Sequence, residues 1–136
     1  MELIHRSNVK IDGSEAVVVG RDNYVGKPVA MLLMTENADV TLCDLETENI
    51  GEITKRADVL VVGVRRPKFI TCDMVKEGAV VIDSEVNRTD DGLVGDVDFE
   101  GVKEKAGAIT PVPGGVGPMI ITMLMANTIK AAKKHR

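Results

Sequence analysis

Short, wholly apolar runs constrain this chain more than any other feature. Ala16-Val17-Val18-Val19-Gly20 is too short for a buried helix and ends in glycine. Such a run reads as a strand covered on both faces, as in a parallel sheet. Val59 to Val64 is the most apolar stretch, and Ala79 to Asp83 is a third run of this kind. Helical patterns separate them. One begins near Pro28, where a missing N–H costs nothing, with Val25, Val29, Leu32 and Leu33 as its apolar stripe, and ends at Asn37-Ala38-Asp39. Val40 to Cys43 is a further strand, ending at Asp44, and Thr47 is the expected cap of a helix carrying Ile50 and Ile53 inward to about Arg56. A short helix over Asp73–Lys76 stops at Gly78.

The alternation breaks at Asp91-Gly92, a hairpin-type turn, so residues 86–97 read as a hairpin excursion. Asp98 is the expected cap of a helix to about Ala106, and Ala108-Ile109-Thr110 is a fifth strand. The last helix runs from Pro118 to about Lys134, with lysines in its final turns, where cations suit the helix dipole. Residues 1–15 are weakly patterned and fit the tail of a preceding element. The expected fold is therefore α/β: a doubly wound parallel sheet between two helix layers, with residues 1–136 as a single domain.

Composition narrows the function. Seventeen Lys and Arg against 21 Asp and Glu leave a net charge of −4, and aromatic residues are 2% of the chain. Neither a basic patch nor a stacking platform is present, so nucleic acid and anionic membranes are poor partners. No signal peptide or spanning segment is visible, and Cys43 and Cys72 lack metal-site spacing, which together predict a reducing, cytoplasmic setting. His5 and His135 stand near the two ends and anchor no metal or catalytic constellation.

Open parallel sheets bind ligands beyond the carboxyl ends of their strands. That geometry selects Arg21 and Asp22, Asp44 to Glu46, Arg65 and Arg66, Ser84 and Glu85, and the Pro111–Pro118 loop. In Gly20-Arg21-Asp22-Asn23-Tyr24-Val25-Gly26-Lys27-Pro28 the glycines permit a sharp turn and a close approach to a helix N-terminus. Their spacing is not GxGxxG, so a plain tight turn and a phosphate-binding turn both remain open. Asp44 lies 24 residues beyond Gly20, near the usual place of an acidic ribose ligand, although a cap or a solvated charge also fits. The Pro111–Pro118 loop holds three prolines and three glycines, a stiff surface that backbone and ligand can share. A receiver-type signalling domain is excluded, since Val64 leads to Arg65 and Thr110 to Pro111 where that fold needs an Asp and a Lys.

Several motifs together carry a resemblance. They are Gly20-Arg21 with Val25-Gly26-Lys27-Pro28, Val80-Val81-Ile82-Asp83 with Asn87-Arg88, Val94-Gly95-Asp96-Val97, and Ile109 through Met119, ITPVPGGVGPM. From about residue 7 to 133 the chain resembles the C-terminal cofactor domain of the bifunctional methylenetetrahydrofolate dehydrogenase/methenyltetrahydrofolate cyclohydrolase family. The resemblance implies a Rossmann-type domain binding NAD or NADP, oxidoreductase and hydrolase chemistry in one-carbon folate metabolism, and a homodimer of two-domain subunits. It also implies that the family's folate-binding half, with its catalytic lysine and tyrosine, lies outside this chain. The chain by itself is then expected to be inactive, with no catalytic residue of its own. The implied cofactor-binding residues are Gly20, Arg21, Asp22, Gly26, Lys27, Pro28, Asp44, Leu45, Val64, Arg65, Ser84, Glu85, Val86, Gly114 and Gly115.

Departures from the family pattern cluster at strand ends: Asp22, Asp44-Leu45-Glu46, Arg65, Ser84-Glu85-Val86 and Ile120. They predict an altered and weakened pocket. Asp22 would face the pyrophosphate, and two like charges ~4 Å apart cost roughly 4 kcal/mol at an effective dielectric of ~20. Asp44 and Glu46 would repel a 2′-phosphate, which favours NAD over NADP. Two other readings follow from the same departures: an adenosine-ligand domain of the S-adenosylmethionine type, or an engineered scaffold without a physiological ligand.

Overall fold

Valine dominates the centre of the sheet because its branched side chain packs well on a pleated surface buried on both sides. The computed structural model describes residues 1–136. Five parallel strands form the main sheet: β1 (Glu15–Val19), β2 (Asp39–Cys43), β3 (Val59–Val62), β4 (Val80–Asp83) and β7 (Ala108–Ile109). Their order is β2-β1-β3-β4-β7. Between β4 and β7, β5 (Asn87–Thr89) and β6 (Gly92–Val94) pair as the antiparallel hairpin that Asp91-Gly92 signals. The helices are α1 (Glu2–Arg6), α2 (Gly26–Thr35), α3 (Ile50–Thr54), α4 (Phe99–Val102) and α5 (Val116–Lys134), with one 3-10 turn at Cys72–Met74. The fold is α/β and Rossmann-like.

Alternate residues of each strand feed two cores. Val17, Val19, Leu60, Val62 and Val81 face α3, α4 and the 3-10 turn, where Ile50, Ile53, Met74 and Val102 close the layer. Ala16, Val18, Val59 and Val61 face the other way, against Ile4 of α1 and Ala30 and Leu33 of α2. Each fully buried Val or Leu contributes about 1.5–3 kcal/mol. α5 buries no residue, and Ile120, Ile121, Leu124, Met125 and Ile129 are all more than half exposed. No helix is long and apolar enough to cross a membrane.

Several local expectations need correction. α2 begins at Gly26 and buries Gly26, Ala30 and Leu33, with Val29 packed against the same core; of the expected stripe, Leu32 is half exposed. Thr47 does not cap α3; its hydroxyl accepts from the Asp44 amide, and Asn49 precedes the helix in the left-handed conformation. Asp98 makes no side-chain cap, and α4 stops at Val102 instead of Ala106, because the chain must tighten to pack Gly107 on the Gly78 carbonyl. The expected helix over Asp73–Lys76 is only the 3-10 turn. β3 ends at Val62 because the next residues wrap the carboxylate of Asp96. Residues 2–6, weakly patterned in sequence, form α1 with Ile4 fully buried.

Candidate functional site

With the hairpin set aside, the strand order runs 2-1-3-4-5, and its direction reverses between β1 and β3. Such a switch point opens a crevice beyond the strand ends, where ligands of doubly wound sheets bind. Here a cleft of about 500 Å³ opens there, lined by Gly20, Arg21, Asp22, Tyr24, Asp44, Leu45, Glu46, Gly63, Val64, Arg65 and Glu85. Its size falls in the range of small-molecule sites.

Two close approaches build it. Gly20, at φ +123°, runs against Gly63, so an added Cβ would strike the Gly63 carbonyl oxygen. Gly26 sits on the Gly20 carbonyl in the same way, which brings the head of α2 onto the end of β1. Both contacts require glycine. Asp22 follows Gly20, and its carboxylate accepts from the backbone N–H groups of Tyr24 (2.7 Å), Val25 (2.8 Å) and Gly26 (3.1 Å). Burial pushes the Asp22 pKa up, but these hydrogen bonds outweigh it and hold the carboxyl below its ordinary value.

At the tip of β2, Asp44 pairs with Arg21 through one oxygen. Its other oxygen accepts from the Glu46 amide at 3.1 Å. Desolvation works against ionisation of Asp44, and the Arg21 hydrogen bond and the Glu46 amide overcome it, so its pKa is lowered. On the opposite wall Arg65 pairs with Glu85 at 3.5 Å. Glu85 is pushed up, first by burial and then further by Asp96 and Asp22, with Arg65 opposing.

Behind that wall lies Asp96, fully buried. One oxygen takes the amides of Val64 (2.6 Å) and Arg65 (2.9 Å), the other the Arg66 amide and the Asn87 side chain, both at 2.8 Å. Arg65 is held at φ +57°, a left-handed conformation that costs a side-chain-bearing residue about 1–2 kcal/mol. Asp83, also buried, accepts from the Val97 amide at 2.8 Å, and burial pushes its pKa up to about 6. Cys43 is buried, and burial, aided by Asp44, raises its thiol to about 11. No cluster of three His, Cys, Asp or Glu side chains that could hold a metal is present.

Of the candidates read from the sequence, Gly20, Arg21, Asp22, Asp44, Leu45, Val64, Arg65 and Glu85 meet in this one cleft. Gly26, Lys27 and Pro28 form the first turn of α2 behind it. Ser84 turns away: its hydroxyl donates to the Val62 carbonyl at 2.8 Å, and it lines an apolar groove with Val29, Val116 and Met119. Gly114 and Gly115 border another groove, beside Arg6, Ser7 and Pro118, and Val86 is half exposed outside the cleft. Tyr24 and Gly63 line the cleft without having been picked out as ligand contacts. Gly63 ends an apolar run as Gly20 does, and that parallel is a signal the sequence carries. Tyr24 is the sole tyrosine and stands between two glycines, a weaker cue.

A parallel sheet with this order and a cleft at its switch point defines a Rossmann-like nucleotide-binding domain. The chain belongs to the tetrahydrofolate dehydrogenase/cyclohydrolase family, whose NAD(P)-binding domain it matches over residues 1–136. It is 62% identical over 135 residues to the bifunctional protein FolD of Bacillus subtilis (strain 168), covering 98% of this chain and 48% of that protein. Among solved structures it is similar to the FolD methylenetetrahydrofolate dehydrogenase/cyclohydrolase of Campylobacter jejuni (43% identity, TM-score 0.95, 100% of this chain and 49% of that one). It is also similar to the Trypanosoma brucei FolD complexed with NADP cofactor and inhibitor (39% identity, TM-score 0.92, 99% and 48%). The chain thus spans about half the length of the curated relatives it matches. The match does not favour the S-adenosylmethionine and scaffold readings.

Proposed function

We propose that the cleft at the β1/β3 switch point holds the adenosine end of a nicotinamide dinucleotide, and that NAD binds more tightly than NADP. The observation that carries this is Asp44, which stands at the tip of β2 with its carboxylate at the cleft and a second acid, Glu46, beside it. A carboxylate there can accept hydrogen bonds from both ribose hydroxyls of NAD, and it meets a 2′-phosphate as a like charge. Residues 1–136 act as the cofactor domain of a methylenetetrahydrofolate dehydrogenase/cyclohydrolase, with a pocket altered at its strand ends. Oxidoreductase and hydrolase activity, a homodimer and a cytoplasmic location for the whole protein belong to this proposal, because about half of each relative lies beyond the matched region.

Calorimetric titration with both cofactors at one salt concentration tests it. NAD should bind roughly ten- to a hundredfold more tightly, a difference that charge repulsion near a screened surface can supply. Asp44→Ser should narrow that preference. Equal affinities, or tighter NADP, would mean that Arg21 leaves Asp44 for the 2′-phosphate and would overturn the NAD preference.

A further inference from the structure

The backbone amides of the turn that leads from the cleft into α2 are already taken. Asp22 receives the N–H groups of Tyr24, Val25 and Gly26, all within 3.1 Å. Val25 is the N-cap of α2 and Gly26 its first residue, so two of these N–H groups are ones that a phosphate at the helix N-terminus would use. The cations that line the cleft are engaged as well. Arg21 is paired with Asp44, and Arg65 with Glu85. Four carboxylates (Asp22, Asp44, Glu46 and Glu85) therefore face two arginines, and neither arginine is left over for an incoming anion.

We propose that Asp22 is a resident anion in the diphosphate position, so that this cleft selects ligands by their nucleoside part and gains nothing from phosphate. The inference rests on the dinucleotide reading above and deepens it by naming a residue that sets specificity. Asp22 holds the Val25 and Gly26 amides from within the chain, and a diphosphate drawn to them must displace it or lie beside it as a like charge. An uncharged nucleoside such as adenosine meets no such competition. The same carboxylate that stabilises the loop thus lowers the return on phosphate binding.

Asp22 acts by charge as well as by hydrogen bonding, so two variants separate the effects. Asp22→Ser keeps a capping oxygen without the charge. Asp22→Asn keeps the shape and one acceptor, also without the charge. The probes are adenosine, ADP and NAD, titrated calorimetrically against the 136-residue protein and both variants, with thermal melts to show that each variant folds. In the unaltered protein, ADP and NAD should bind no more than about threefold better than adenosine. In both variants the affinity for ADP and NAD, taken relative to that for adenosine in the same protein, should rise at least tenfold. Raising the salt concentration should shrink the gain, since exposed like charges are screened.

Two results overturn the inference while leaving the dinucleotide reading intact. One is ADP or NAD binding a hundredfold more tightly than adenosine in the unaltered protein. The other is measurable NAD binding that neither variant improves. Failure of all three probes to bind any of the three folded proteins would instead sink the dinucleotide reading, and the inference with it. If one variant fails to fold, the other decides by the same thresholds.

Discussion

Asp96 gathers the wall of the cleft, and removing it gives the sharpest test of how the site is built. Its carboxylate holds the amides of Val64, Arg65 and Arg66 and the side chain of Asn87 in a fully buried position. Asp96→Ala strips a partner from three backbone donors and leaves a void. A buried donor without a partner costs about 1–3 kcal/mol. The loop can turn some of these groups toward water, so the total expected is about 3–5 kcal/mol. Asp96→Asn separates geometry from charge. Its amide oxygen can keep Val64 and Arg65, while Asn87 can flip its own amide to meet the new NH2 group, and only the Arg66 bond is lost. That variant should cost about 1–3 kcal/mol. Urea denaturation reads both, as a lower midpoint at unchanged slope. Affinity for NAD should fall in both variants, because Val64 and Arg65 line the cleft. A loss below about 1 kcal/mol in Asp96→Ala would refute the reasoning. It would mean that the bond from the Gly63 amide to Val19 holds this turn by itself.

Asp83 makes a pH-dependent prediction. Its folded pKa of about 6 lies above the ordinary value of 3.8, so folding favours the protonated form. The resulting stabilisation is full below pH ~4, is lost as pH rises through ~6, and amounts to roughly 3 kcal/mol. The stability of the unaltered protein relative to Asp83→Asn should therefore fall across that window; a difference that stays flat between pH 4 and 7 would remove burial as the cause. The 136-residue polypeptide purified alone, given methylenetetrahydrofolate and NAD or NADP, should form no reduced cofactor above buffer, because catalysis needs the folate positioned as well as the cofactor bound. Substrate-dependent reduction would contradict this.

The strands were legible because their signal is local. Val17, Val18 and Val19 share one run, and burial on both faces leaves no polar position to blur it. The hairpin at Asp91-Gly92 was legible for the same reason, since turn chemistry lies within a dipeptide. Helix ends were read less well. Thr47 and Asp98 are good caps by type, but the Asp44 amide claims the first, and the packing of Gly107 on Gly78 shortens the helix after the second. Those competitors are set by tertiary contacts, which a residue scale does not contain.

The site divides along the same line. Gly20, Asp22, Asp44 and Arg65 could be placed because strand ends in a parallel sheet converge on one edge, whatever the intervening chain does. Their pairing could not. Arg21 reaches Asp44 across 23 residues, and Asp96 reaches Val64 across 32. These contacts reverse part of what the isolated residues suggest. In sequence, Arg21, Arg65 and Arg66 stand at strand ends as cations that would offset part of the Asp22 charge. In the fold Arg21 and Arg65 already have carboxylate partners, and Asp22 holds the Val25 and Gly26 amides at the start of α2. The pocket's preference among anions therefore depends less on how many arginines surround it than on which of them a ligand can release.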